Sequence, residues 1–187
     1  RRVLRMCEES YQTFCRKLGY NEPFREFDSP ASTRYKLNFL TWYDGYWAGG
    51  FNNRAHMNVG TSGLADEGPG NPVPHEFAHC IQMAQSGRLV GGHWESHANY
   101  LRSQRNLHFF ATITNAVPAL DNLTGNSNYR PDHNRHIYAD QRYYLSLDDY
   151  GTQFGLPPNY AATMWRDGAR DQTMIAKLAA ALPAGTR

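Results

Sequence analysis

The spacing of apolar residues predicts a helix followed by a strand at the start of the chain. From residue 3 to residue 18, apolar side chains recur every three or four positions: Leu4, Cys7, Tyr11, Phe14 and Leu18. This period is typical of an amphipathic helix with one face in the core, and Gly19 is placed to end it. Residues 35–42 are rich in strand-forming residues and partly alternate, so they predict a strand.

The remaining pattern predicts one further strand and a run of helices. Residues 54–59 form a short strand pattern, whereas residues 43–53 are rich in Gly, Asn and aromatic residues and predict a loop. Helical patterns follow at 72–86, 93–102, 136–147, 159–166 and 171–182, and residues 112–134 read as a long loop. The sequence therefore predicts one α+β domain over residues 1–187, with a small N-terminal sheet and a mostly helical C-terminal half.

The most informative segment is His75-Glu76-Phe77-Ala78-His79, which has the form H-E-x-x-H. Histidines four residues apart lie on the same face of a helix, so both imidazoles can bind one cation. The glutamate after the first histidine then lies beside the cation, where it can take a proton from a metal-bound water. The motif predicts a zinc site with His75 and His79 as ligands and Glu76 as general base.

The residues around the motif favour a helix with separate apolar and polar faces. Asn71 and Pro72 suit a helix start, although Pro74 disfavours helical angles at the residue before it, so the start is open between 72 and 75. Gly87 is expected to end the helix. The apolar face carries Phe77, Ile81 and Ala84, and the other face carries His75, His79, Gln82 and Ser86. The alternative is a surface helix whose histidines face water.

A catalytic zinc site needs a third protein ligand, and the next helix supplies candidates. Glu95 lies sixteen residues after His79, across a short glycine-containing connection, and antiparallel helices would bring it back to the histidine pair. His93 and His97 are rivals for the role because they too are four residues apart. We favour Glu95, which has polar Asn99 one turn later, and leave His97 as an orienting group or substrate contact.

The two helices together resemble those of the gluzincin metallopeptidases, the clan that includes thermolysin. The resemblance rests on His75-Glu76-Phe77-Ala78-His79 and on Glu95 within Trp-Glu-Ser-His-Ala-Asn, and covers residues 72–102. It implies a zincin-like fold and zinc held by two histidines and one glutamate. It also implies that Asn99 stands where the family has an acidic residue that orients a histidine ligand. More loosely, the chain is similar to gluzincin-like domains of secreted bacterial and fungal proteins, some of them linked to virulence.

The resemblance also implies a peptidase mechanism and the remaining parts of its site. A tyrosine or histidine from a later segment stabilises the oxyanion in the family, and we place Tyr138 in this role ahead of His136, Tyr143 and Arg135. A strand at residues 54–59 would form the edge of the cleft, with which an extended peptide substrate pairs. The expected substrate is a peptide or protein.

Two other functions remain open. An aromatic content of 13% keeps a zinc enzyme that acts on a polysaccharide or its ester among the alternatives. A binding module that kept the fold and lost turnover is the second alternative, although it would have no need of Glu76.

The charge and the apolar content of the chain restrict the kinds of partner that it is expected to have. A formal charge of +2, with the charges mixed along the chain, argues against a nucleic-acid partner. No apolar run is long enough to span a membrane. The chain begins Arg-Arg and not with Met, and we expect a mature or excised, monomeric domain that is secreted or extracytoplasmic.

The three cysteines are Cys7, Cys15 and Cys80. Residues eight apart on one helix are separated by about 12 Å, which is too far for a disulfide, so Cys7 and Cys15 are not expected to pair. Cys80 lies in the motif helix and is expected to be a buried packing residue, with one bridge to it at most.

Overall fold

The protein is represented by a computed structural model, which divides into two compact units. It describes residues 1–23, 37–40, 45–51, 54–60, 71–87, 93–105, 144, 147–148, 150–167, 172 and 174–184. The first unit contains the described residues of 1–85 together with 101–105, and the second contains 86–100 with the described residues from 144 onward. The predicted loop at 112–134 lies outside the described residues, and so does most of the predicted helix at 136–147.

The N-terminal helix forms as predicted but changes its winding. Helix α1 spans Arg2–Tyr11 and continues as a π-helical segment over Gln12–Lys17. The wider winding is visible where the Leu18 amide donates to the Thr13 carbonyl five residues earlier, at 3.0 Å. Gly19 follows with a left-handed φ of 83°, which a glycine adopts without strain.

The face that α1 buries differs from the predicted one at its first member. Leu4 is 62% exposed, so its assignment to the core was wrong. The neighbouring Val3 and Met6 are buried in its place, and they continue toward Cys7 and Phe14. The period was therefore right, and the core-facing stripe begins at Val3 and Met6 instead of Leu4.

The sheet has three strands in the order β1-β3-β2. Strand β1 is Asn38–Leu40, β2 is Tyr46–Phe51 and β3 is Arg54–Val59. Strand β3 pairs in parallel with β1 and antiparallel with β2, with His56 opposite both Asn38 and Gly49. The loop prediction for 43–53 was wrong where β2 forms, because pairing to β3 outweighs the low strand preference of its two glycines.

The position of β3 also corrects the expected cleft edge. Both of its sides are already paired, so residues 54–59 are the centre of the sheet and cannot accept an added peptide strand. Asn58 on this strand is fully buried, and its side-chain amide donates to the Gly45 carbonyl at 2.6 Å. Within the described part of the chain, the edge strands are β1 and β2.

Helix α2, Val73–Met83, carries the H-E-x-x-H motif and is buried along its whole length. It contacts α1, β2 and β3, and the rings of Phe14 and Phe77 lie 6.3 Å apart. Its start lies between the two predicted limits: Pro72 is the capping residue, and the Asn71 side-chain oxygen accepts from the Val73 amide at 2.8 Å. The alternative of a water-facing surface helix is wrong.

The end of α2 differs from the prediction. The helix stops at Met83, four residues before Gly87, and Gly87 has no left-handed φ. Gly87 belongs to the second unit, and its amide donates there to the Trp165 carbonyl at 2.9 Å. A Cβ added there would lie 2.0 Å from the Asp167 carbonyl oxygen, so this glycine is required by close approach and not by a helix cap.

The second unit is helical and its core is aromatic. Its helices are α3 (His93–Arg105, whose last five residues belong to the first unit), α4 (Tyr160–Arg166) and α5 (Met174–Ala181), all at predicted positions. The His97 ring stacks on Trp165 with 4.2 Å between ring centroids, and Tyr144 lies 5.0 Å from the same imidazole. The Tyr100 hydroxyl donates to Asp148.

One buried cation joins the segments of this unit. Lys177 on α5 is 6% exposed, and its ammonium donates to three main-chain carbonyls: Gly87, Met164 at 2.7 Å and Asp167 at 3.3 Å. Desolvation by burial lowers the pKa of Lys177, and the nearby Asp167 partly opposes this shift. Three carbonyl acceptors replace the water that the ammonium loses on burial, so the charge is accommodated inside the unit.

The mixture of a small sheet with dominant helices confirms the α+β class. That residues 1–187 form a single domain stays a prediction. All three cysteines are free and buried, which confirms that Cys7 and Cys15 do not pair and that Cys80 is a packing residue. In the part of the chain that the structure describes, no helix is both long and apolar enough to cross a membrane.

Candidate metal centre

The two histidines of the motif face one another from successive turns of α2. Their Nε2 atoms lie 3.1 Å apart, and the rings meet edge to face with centroids 4.7 Å apart. Two zinc–nitrogen bonds of about 2.0–2.1 Å span more than this separation, so one ion can bind both nitrogens. His75 and His79 are 7% and 9% exposed, so the pair is shielded from bulk water.

The orientation of His79 is held by a residue to which the sequence analysis gave no role. The Nδ1 atom of His79 lies 2.7 Å from the side-chain oxygen of Gln82, which is fully buried. An amide oxygen only accepts, so this contact is a hydrogen bond when Nδ1 of His79 carries the proton. The signal in the sequence was the spacing: a residue three after a helical histidine lies on the same face.

Glu95, the predicted third ligand, joins the pair. One possible ligand atom from each of His75, His79 and Glu95 lies within 4.8 Å of the others. Two metal–ligand bonds span at most about 4.2 Å, so a side-chain movement of less than about 1 Å brings all three atoms within reach of one ion. Two histidine nitrogens and a carboxylate are the donor set of catalytic zinc sites that leave a fourth position open. These three residues can therefore bind a metal ion.

Glu76 accompanies the ligand pair without belonging to this group. It is 7% exposed, and its amide donates to the Pro72 carbonyl at 2.9 Å within the first turn of α2. As the residue after His75, it is rotated by about 100° around the helix, so its side chain starts from a different face than the two histidines.

Cys80, next to His79, is not suited to bind the ion. Its thiol points away toward the His56 carbonyl, at 3.7 Å. Burial raises its pKa well above the usual range, and Cys7 and Glu76 add to the effect. Because the thiolate is the form that binds metals, a thiol held protonated in this way is a packing group.

The rival ligand His97 lies in a different environment. It is fully buried against Trp165, Tyr144 and Tyr100, and within the described ranges the group compatible with a metal contains Glu95 and not His97. The same burial leaves no surface on which His97 could contact a substrate. The side chain of His93 lies outside the described residues.

The roles predicted for Asn99 and for the residue that stabilises the oxyanion stay predictions. Asn99 is 2% exposed, and its predicted role in orienting a histidine ligand stays a prediction, since the acceptor seen at His79 is Gln82. The candidates for oxyanion stabilisation all lie outside the described residues: Arg135, His136, Tyr138 and Tyr143.

Comparison with known proteins places the chain in a family. The family of unknown function DUF6055 matches residues 1–175, which is nearly the whole chain. The chain belongs to this family. No curated protein and no solved structure matches it. Membership of DUF6055 therefore carries no activity with it.

Proposed function

We propose that this member of DUF6055 is a zinc-dependent metallopeptidase with a zincin-like fold of the gluzincin type. The observation that supports the proposal is the convergence of His75, His79 and Glu95 within 4.8 Å, on the two helices that the motif spacing predicts. The substrate in this proposal is a peptide or protein, and the location is extracytoplasmic.

The donor set fits zinc in particular. Imidazole nitrogens suit Zn²⁺ and other transition metals, whereas Mg²⁺ and Ca²⁺ prefer sites made of oxygen ligands. Gln82 accepts from the far nitrogen of His79, an arrangement that recurs behind zinc-binding histidines. Bound at this position, zinc would act as a Lewis acid and lower the pKa of a water molecule toward ~7.

Side chains of the protein would bind the metal, transfer the proton and stabilise the oxyanion. His75, His79 and Glu95 would hold the ion and fix its open side. Glu76 would accept a proton from the attacking water and later give it to the leaving amine, which is the general-base and general-acid role. The burial of Glu76 keeps bulk water from competing for this proton. Tyr138 remains the proposed donor to the oxyanion.

The ligand assignment is tested by metal content. His75→Ala and Glu95→Ala should each remove zinc from the purified protein, because each deletes one of three donors. His97→Phe is the matched control, since it keeps a ring in the stack on Trp165 and removes both nitrogens. Inductively coupled plasma analysis should find about one zinc in the wild type and in the control. Zinc retained in Glu95→Ala but lost in His97→Phe would transfer the role to His97.

The base is tested by Glu76→Gln, which keeps the size of the side chain but cannot take the proton. We expect a folded, zinc-loaded protein with peptide hydrolysis reduced by at least ~100-fold, the usual scale for loss of a general base. Assays of casein and of peptide libraries would measure it, with Glu9→Gln as a control that makes the same change at an exposed carboxylate on α1. Near-normal turnover in Glu76→Gln would refute the mechanism. If the wild type cleaves polysaccharide esters and no peptide, the proposal of a peptidase would give way to that of a zinc enzyme acting on polysaccharides.

A further inference from the structure

Beyond the three ligands, we infer that Gln82 is the positioning residue that sets the tautomer of His79 and so makes its Nε2 atom available to the metal. The inference rests on the proposed zinc site and adds a residue that the H-E-x-x-H motif does not contain. In this chain the motif extends to H-E-x-x-H-x-x-Q, with the glutamine one helical turn after the second histidine.

The first argument is the identity of the atoms in contact. A neutral imidazole carries its proton on either Nδ1 or Nε2, and the hydrogen bond made by one nitrogen decides which form is present. Gln82 directs its carbonyl oxygen at Nδ1 of His79 from 2.7 Å, and that oxygen can only accept. The proton is thereby held on Nδ1, and the lone pair is left on Nε2.

The second argument is what Nε2 then faces. It lies 3.1 Å from Nε2 of His75, so the lone pair of His79 points to the place where the two histidines meet. Without a metal, a proton on Nε2 of His75 can bridge this gap; with a metal, both lone pairs bind it. Were His79 in the other tautomer, its Nε2–H would occupy the ligand position and would have to be lost before binding.

The third argument is burial. Gln82 is fully buried and His79 is 9% exposed, so little water is present to compete for the Nδ1 proton. A buried hydrogen bond of this kind costs more to lose than an exposed one, because the donor is left without a partner. Partners behind metal-binding histidines typically change metal affinity by about 10–100-fold when removed.

The segment directly after α2 supplies a matched control. Gln85, three residues further along the chain, is also buried at 2% exposure and also uses its amide, with its oxygen accepting from the Asn21 amide at 3.0 Å. Its nitrogen donates to the carbonyls of Asn21, at 3.1 Å, and Ile81, at 2.6 Å. Gln85 therefore ties the helix to the N-terminal segment and touches no histidine in these contacts. A change at Gln85 removes a buried glutamine without removing the acceptor at His79.

The experiment measures zinc affinity by competition with a chromophoric chelator. Gln82→Met keeps the length of the side chain but has no strong acceptor, and we expect the Kd for zinc to rise about 10–100-fold. Gln82→Glu restores an acceptor and should keep the Kd within about threefold of the wild type or lower it, since a carboxylate makes the imidazole a better donor. Gln85→Met should also stay within about threefold, even though it destabilises the fold.

A second readout does not depend on zinc. In metal-free protein labelled with ¹⁵N-histidine, long-range proton–nitrogen spectra distinguish the two tautomers. His79 should be the Nδ1–H form in the wild type and in Gln85→Met, and a mixture in Gln82→Met. An Nε2–H form in the wild type would overturn the inference.

The outcomes separate this inference from the proposed function. If the wild type binds zinc and Gln82→Met binds it equally well, Gln82 has no positioning role while the zinc site stands. Equal weakening in Gln82→Met and Gln85→Met would also overturn the inference, because the effect would then come from a loosened helix. If the wild type binds no zinc, the proposed function fails and the role of Gln82 toward the metal fails with it.

Discussion

Cys15 shows how burial controls the chemistry of a single side chain. It lies in the π-helical segment after α1, and desolvation raises the pKa of its thiol to about 12, with the negative charge of Glu22 adding to the effect. Its sulfur atom lies 3.9 Å from the Asn21 carbonyl, to which the thiol donates. The thiolate of Cys15 is therefore scarce at neutral pH, and so is that of the fully buried Cys80.

The raised pKa of Cys15 makes stability fall at alkaline pH. The folded form holds the proton up to about pH 12, whereas the unfolded chain releases it near 9.0. The contribution is thus present below pH 9 and is lost as the pH rises to about 12, by up to ~1.4 kcal/mol per pH unit. Urea unfolding between pH 8 and 11 should show a steeper decline for the wild type than for Cys15→Ser, which keeps a donor but does not titrate there. Parallel declines would contradict the shifted pKa.

Among single residues, the grouping of the three candidate ligands could be predicted from the sequence, whereas the contact of Gln82 with His79 could not. The spacing of His75 and His79, and the place of Glu95 on the following helix, identified the group that the structure brings together. Gln82 was placed on the correct face, but its contact with His79 depends on a side-chain rotamer, which spacing does not determine. The prediction that Leu4 is buried was wrong for a related reason. Val3 and Leu4 are adjacent and both apolar, so the spacing alone does not determine which of them faces the core.

Gly87 illustrates a requirement imposed by one element on another. Its close approach to the Asp167 carbonyl leaves no room for a Cβ atom. We expect Gly87→Ala to lower the free energy of unfolding by about 1–3 kcal/mol, the usual cost of overpacking, as measured by urea denaturation.

Gly19→Ala is the comparison variant for this prediction. It introduces the same methyl group at a left-handed φ of 83°, and should cost about 1–2 kcal/mol from backbone strain. A neutral Gly87→Ala would show that the 166–167 backbone moves aside easily. In that case, the close contact would not be a constraint on the second unit.

Helices were predicted more reliably than strands because their signal is local. The helices α2 to α5 repeat apolar residues over two or more turns, so their existence is visible in the sequence. Strand β2 contains Gly49 and Gly50, and its conformation comes from pairing with β3, which is a non-local interaction. The central position of β3 was likewise invisible, since strand order depends on which segments meet and not on their composition.

Metal binding is expected to stabilise the whole molecule. An ion that binds only the folded state adds about 2.7 kcal/mol at a hundredfold excess over its Kd. Treatment with EDTA should therefore lower the Tm in differential scanning calorimetry, and added zinc should restore it. His75→Ala should melt at the same temperature with and without the chelator. A wild type whose Tm ignores both EDTA and zinc would argue against a site occupied in the folded protein.

The α+β class followed from the sequence, whereas the division into two units did not. The second unit is assembled from residues 86–100 and the described residues from 144 onward, whereas residues 101–105 between them belong to the first unit. Its contacts, such as His97 on Trp165, join residues far apart in the chain. Hydrophobic periodicity describes one helix at a time and contains no information about which helices share a core.

The scarcity of lysine gives Lys177 a practical use. The chain has three lysines, and Lys17 on the first unit is exposed while Lys177 is enclosed by three carbonyls of the second. An acylating reagent attacks only a free amine that solvent can reach. Lys17 therefore reacts in the folded state, whereas Lys177 reacts only after the structure around it opens locally. The ratio of the two labelling rates, measured by mass spectrometry of the peptides, then reports how often the second unit opens locally around Lys177.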